Sequence, residues 1–128
     1  MTSQNNRPQF TSYIDTEGRK VMRVPLDKRG KEHATVLERD YLNVRRSGAT
    51  GTWIAHVVNG RTYVRTNIPT GAGYTLGTVA RIITGAGRGV AIRYADGNPL
   101  NLLPENLVWR KGKAKRCDHE IALAGAAA

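Results

Sequence analysis

Cysteine is almost absent: Cys117 stands alone among 128 residues. One thiol cannot form an internal disulfide or a Cys-rich zinc site, and it fits a reducing compartment, so the expectation is a cytoplasmic protein. Large aromatic anchors are also scarce, with one Phe and two Trp. No apolar run is long enough to span a membrane, and the polar start "MTSQNNRPQF" does not read as a signal peptide. Acidic residues are half as numerous as basic ones, 10 against 20, which leaves a net charge of +10. Such an excess favours a polyanionic partner, because each neutralised phosphate releases condensed counterions. A basic amphipathic helix that would prefer a membrane surface is not visible. The competing reading is a soluble basic surface with no particular ligand.

What is present organises into short elements. Residues 1–18 lack periodicity and read as a loose arm. "KVMRVPL" (20–26) and "HATVL" (33–37) read as strands, with a turn through Gly30 between them. "ERDYLNVRR" (38–46) is a helical turn or an irregular crossing, and "SGATG" (47–51) is a loop by composition. The clearest local signal is "TWIAHVV", Asn59-Gly60, "RTYVRTNI": two β-rich runs joined by a strong two-residue turn. That turn sets Val58 opposite Arg61, His56 opposite Tyr63 and Ile54 opposite Arg65. Trp53, Ala55, Val57, Thr62, Val64 and Thr66 then share the other face. "TLGTVARIITG" (75–85) reads as a helix closed by Gly85. "RGVAIRYADGN" returns as strand and turn, and "PENLVWR" as a short helix with Pro104 near its first position. The segment 111–128 is a tail, basic at first and then rich in Ala and frayed.

The order of these pieces resembles phage and mobile-element proteins that join an APETALA-type DNA-binding sheet to an HNH endonuclease domain. The likeness runs from about Val21 to Arg110 and is carried by "VPLDKRGKEHATVLERDY", "GTWIAHVVNGRTYVRTNI", "TLGTVARIITGAGRGV" and "DGNPLNLLPENLVW". It implies an α+β fold, with a small antiparallel sheet of three or four strands and a helix, followed by an HNH-like strand–turn–helix unit. On that basis residues 19–110 form one globular unit, divided into an APETALA-like sheet (19–70) and a degenerate HNH-like part (71–110).

In that family a histidine before the turn activates water beside an acidic metal ligand. The resemblance sets the base position on Tyr94, the acidic ligand on Arg93, the loop Asn on Leu102 and the last metal position near Lys115 and Arg116. Each replacement is chemically adverse. Phenol is a poor base at neutral pH, guanidinium has no lone pair and repels a cation, and Leu cannot make the loop's hydrogen bond. Asp96, Asn98, Asn101 and Asn106 are assigned turn and helix-start roles. His33, His56 and His119 show no metal-ligand spacing. No P-loop or dinucleotide fingerprint appears, and no cofactor or metal is expected.

These readings converge on a non-catalytic protein that binds double-stranded DNA on a scaffold derived from an HNH endonuclease, such as a regulatory or recombination accessory factor of a mobile element. The resemblance implies that the sheet lies in the major groove. Arg61 and Arg65 are the expected readers, with Tyr63 and His56 in support. Arg45, Arg46, Arg93, Arg110, Lys111, Lys113 and Lys115 are the expected phosphate clamps. Arg93, with Arg110 and Lys111, is expected to replace the metal as the cation that meets phosphate; the bland alternative is an ordinary solvated strand residue. Three rivals stand beside this reading: an active nickase with a relocated base, an RNA- or ribosome-associated binder, and a protein-interaction module that presents Leu100, Leu102 and Leu103.

Overall fold

Residues 10–127 are described by the structure, a computed structural model. The chain begins with three strands, β1 (Thr11–Ile14), β2 (Lys20–Pro25) and β3 (His33–Leu37), paired antiparallel in that order. Val24 lies opposite Ala34 on the neighbouring strand, and both are buried. Helix α1 (Glu38–Arg46) follows β3 without a loop. Its first turn holds Glu38 and Asp40 and its last holds Arg45 and Arg46, which matches the sign of the helix dipole at each end. Val44 is the residue it buries.

The second sheet contains β4 (Trp53–Val58), β5 (Arg61–Thr70) and β6 (Gly73–Thr78), again antiparallel in sequence order. All six β4–β5 pairs fall in the register that Asn59-Gly60 dictates. Both turn residues have positive φ, 52° and 76°, as a tight turn matched to the strand twist requires. Trp53, Val64 and Thr66 are buried, so the expected inner face is the inner face. Val57, near the turn, is the departure, being well exposed.

Helix α2 (Val79–Thr84) is short and ends at Gly85, whose φ of 72° is the left-handed cap expected there. A third sheet pairs β7 (Val90–Tyr94) with β8 (Leu107–Lys111), and α3 (Asp118–Ala127) ends the described chain. The fold is therefore α+β, with small antiparallel sheets and three helices. One core serves all of it, with Val24, Val36, Val44, Trp53, Ile68 and Leu102 among its members.

Four local expectations are corrected. Thr11–Ile14, inside the supposed arm, is a strand paired with β2; residues 1–9 of that arm lie outside the described residues. Thr75–Thr78 is strand rather than helix, because Gly77 lets the Ile68 side chain of β5 press onto the β6 backbone. "PENLVWR" is not a helix: one 3-10 turn, Pro104–Asn106, leads into β8, whose Val108 and Trp109 pair with Arg93 and Ile92. The Ala-rich stretch is not frayed over Asp118–Ala127, which is a helix, and residue 128 lies outside the described residues. Ala122 is fully buried, and α3 lies so close to β5 that a side chain at Gly125 would collide with the backbone of Pro69.

Candidate nucleic-acid interface

The third sheet has two strands, so β7 keeps one edge unpaired. The turn end of the β4–β5 hairpin and the β7–β8 ribbon together line a groove of about 570 Å³. Arg61 and Tyr63 line it from β5; Arg93, Tyr94 and Arg110 line it from the β7–β8 ribbon. Among the described residues, no Asp or Glu lines it. Arg61, Arg93 and Arg110 are exposed, and among the described residues none of their side chains makes a hydrogen bond or ion pair.

The register explains how the cations collect. Arg93 faces Val108 and Ala91 faces Arg110, so Arg93 and Arg110 are diagonal neighbours on one face of the ribbon. Lys111, one residue on, points to the other face, beside Trp109's side of the sheet. The expected trio of Arg93, Arg110 and Lys111 is thus a pair in the groove with Arg61 as its third member. Lys113 and Lys115 are exposed on the strap between β8 and α3.

Behind the groove, the outer face of the hairpin is occupied by its own contacts. The Arg65 guanidinium lies 4.7 Å from the Tyr63 ring centroid, and its Nη1 donates to His56 Nδ1 at 3.2 Å. Its Nε is buried without a partner, and none of the ion pairs includes Arg65. Arg65 is therefore a half-buried brace on Tyr63 rather than a side chain reaching outward. Tyr94 sits close enough to sense both: burial pushes its phenol up to about 12, Tyr63 adds to the rise, and Arg65 opposes it. A phenol held neutral in this way is a poor base near pH 7.

The loop between β7 and β8 satisfies itself. Asp96 accepts from Asn98 N at 2.7 Å and from Asn101 Nδ2 at 2.9 Å, and the Asn101 contact, the stronger, holds its carboxyl below the usual range. Buried Asn106 accepts from Asp96 N at 2.7 Å and donates to Asn101 O at 2.9 Å. The bond that fastens the loop, expected to be missing at Leu102, is made by Asn106. Leu102 itself is fully buried, and its N–H donates to Thr35 O at 2.7 Å. With Leu100 and Leu103 half-buried, the three leucines do not form a contact surface.

Other expected clamps lie elsewhere. Arg45 Nη1 donates to Thr50 O at 3.1 Å, and Arg46 lines a separate cleft between α1, α2 and α3 with His119. Arg116 bonds to Asp118 Oδ1 at 2.7 Å, to Thr75 Oγ1 at 3.2 Å and to Leu76 O, which fastens the start of α3 to β6. His33, His56 and His119 stand on β3, β4 and α3. Among the described residues no group of three His, Cys, Asp or Glu side chains could hold a metal ion. Arg93 and Tyr94, the residues that the sequence resemblance sets at ligand and base positions, do not suit a divalent cation either.

Tyr94 lines the groove, although sequence reasoning did not count it among the interface residues. Its signal was adjacency to Arg93; the missing step was tertiary, since nothing local says that β7 borders the hairpin. No protein-family model, curated protein or solved structure matches the chain. No helix among the described residues is long and apolar enough to cross a membrane.

Proposed function

We propose that this protein binds duplex DNA without cutting it, on a scaffold descended from an HNH endonuclease, as a regulatory or recombination accessory factor. One observation carries the reading. Three unpaired arginines, Arg61, Arg93 and Arg110, border one groove that has no acidic residue among the described residues of its lining. Unpaired guanidiniums gathered without a counterion are a phosphate-binding arrangement, and the net charge of +10 supplies the long-range attraction. The duplex lies across the groove mouth, where Arg61, Arg93 and Arg110 meet backbone phosphates. Lys113 and Lys115 add contacts from the strap.

Two chemical arguments support silence in catalysis. Tyr94 is a neutral phenol at the position where a base is needed, and Arg93 repels the cation that would polarise phosphate. The test is a gel-shift series alongside a supercoiled-plasmid assay, each with Mg²⁺, Mn²⁺ or EDTA. Binding in every buffer and intact plasmid throughout are expected. Nicking that disappears in Tyr94→Phe would overturn the reading, and tighter binding to RNA than to duplex would replace its partner.

A further inference from the structure

The basic residues of this surface border a concave groove rather than crown a ridge. An element that reads a duplex enters the major groove, about 12 Å wide, as a convex helix or ribbon. Here the geometry is reversed. About 570 Å³ of open space lies between the β7–β8 ribbon and the hairpin end, a volume suited to a small ligand rather than a double helix. The lining also joins two kinds of side chain that unpaired strands use together: cations for the backbone and aromatic faces for bases. Tyr63 is prepared for the second role. Arg65 lies over its ring at 4.7 Å, and Tyr63 is one of the residues that line the groove, so a base stacked on the other ring face would complete a layered stack. Tyr94 also lines the groove, and its phenol stays protonated at neutral pH. Gly60 and Gly97 line the same groove and add no side chain to it.

We propose that the groove takes an unpaired stretch of DNA, with its phosphates on Arg61, Arg93 and Arg110 and a base stacked on Tyr63. The proposal deepens the DNA-binding reading and rests on it: the preferred partner is duplex DNA interrupted by a gap or bulge. Diagonal placement of Arg93 and Arg110 on the ribbon sets their Cα atoms about 7–8 Å apart, the scale of one nucleotide step along a strand. Arg61 approaches from the opposite wall.

Fluorescence anisotropy in EDTA at fixed ionic strength tests this, using an intact duplex, the same duplex with a three-nucleotide gap, and single-stranded DNA and RNA of the gap sequence flanked by the same arms. The gapped duplex is expected to bind about tenfold tighter than the intact one, the order of one base–aromatic stack. Tyr63→Ala should collapse that ratio, and Tyr63→Phe should keep it. A 2-aminopurine in the gap should be quenched on binding the parent protein and less so on binding Tyr63→Ala. Arg61→Gln, at an exposed position that does not threaten the fold, should weaken gapped binding several-fold. Equal affinity for intact and gapped duplex, or a preference that survives Tyr63→Ala, removes the unpaired-strand proposal and leaves duplex binding standing. Preference for the RNA strand removes it in favour of a different partner. If no DNA form binds at all, the underlying DNA-binding reading falls with it.

Discussion

Arg81 and Arg93 are both arginines near β7, yet their surroundings are opposite. The Arg81 guanidinium donates to four backbone carbonyls: Val90 at 2.5 Å, Gly87 at 2.7 Å, and Ala86 and Arg116 at 3.1 Å. It is a five-donor fork spent on closing the turn between α2 and β7 and on holding the strap to α3. Arg93 is exposed, its guanidinium bonded to nothing described, and it lines the groove with two more unpaired arginines. Composition counts the two as equal. The structure divides the basic residues into braces, with Arg19 and Arg116 beside Arg81, and a free set facing the groove. A net charge of +10 therefore overstates how many cations can meet a ligand.

The hairpin repeats this contrast across its two faces, and the largest expected effect lies there. Trp53, 2 % exposed, packs with its ring centroid 5.2 Å from that of Tyr41. Trp53→Ala should cost about 3–5 kcal/mol, read by thermal or urea melting. Next comes the brace: Arg81→Ala strips several carbonyls of a charged donor and should cost about 2–3 kcal/mol, with little change in the salt dependence of DNA binding. Arg93→Ala should do the reverse, leaving stability within about 0.5 kcal/mol and weakening DNA binding. An Arg93→Ala protein that melts early, or an Arg81→Ala protein that folds normally, would dissolve the division.

The smallest effect belongs to a surface brace. Both oxygens of Glu105 accept from Arg19, at 2.9 and 2.8 Å, and Arg19 also holds Asp15 at 2.8 Å. The Arg19 guanidinium depresses the Glu105 carboxyl from 4.5 to about 2. A depressed carboxyl stabilises the fold above its unfolded value, and that contribution is lost as pH falls from about 4.5 towards 2. Glu105 is mostly exposed, so solvent screening keeps the effect small. Melting curves between pH 7 and pH 3 should show a shallower acid loss in Glu105→Gln than in the parent; identical slopes would show that the clamp contributes nothing to stability.

Legibility followed the range of the interactions. Asn59-Gly60 fixed every pair of β4 with β5, because a two-residue turn leaves no freedom of register. Gly85 marked the end of α2 for an equally local reason. The strand β1 was hidden because all four of its residues are exposed, so burial leaves no alternation in the sequence. Pro104 suggested a helix, and one turn of 3-10 does form, but the pairing of Leu107–Lys111 with β7 overrides it. In α3, Ala122 and Gly125 looked like a frayed end because small residues carry no hydrophobic signal, although their smallness is what permits close packing on β5. Of the candidate site, Arg61, Tyr63, Arg93 and Arg110 were legible one by one. Their meeting across a groove, and the turning of Arg65 onto Tyr63, depend on how two sheets pack.

The central claim, that the unpaired arginines of the groove are what meets DNA, is tested most directly by salt dependence. Duplex affinity of the parent should be compared with that of an Arg61→Gln, Arg93→Gln, Arg110→Gln triple variant across salt concentrations in EDTA. Each lost phosphate contact should flatten the log–log slope by about 0.9, so the variant's slope should be shallower by about 2–3 units while its melting temperature stays near the parent's. A triple variant that folds normally and keeps the parent's slope would contradict the account.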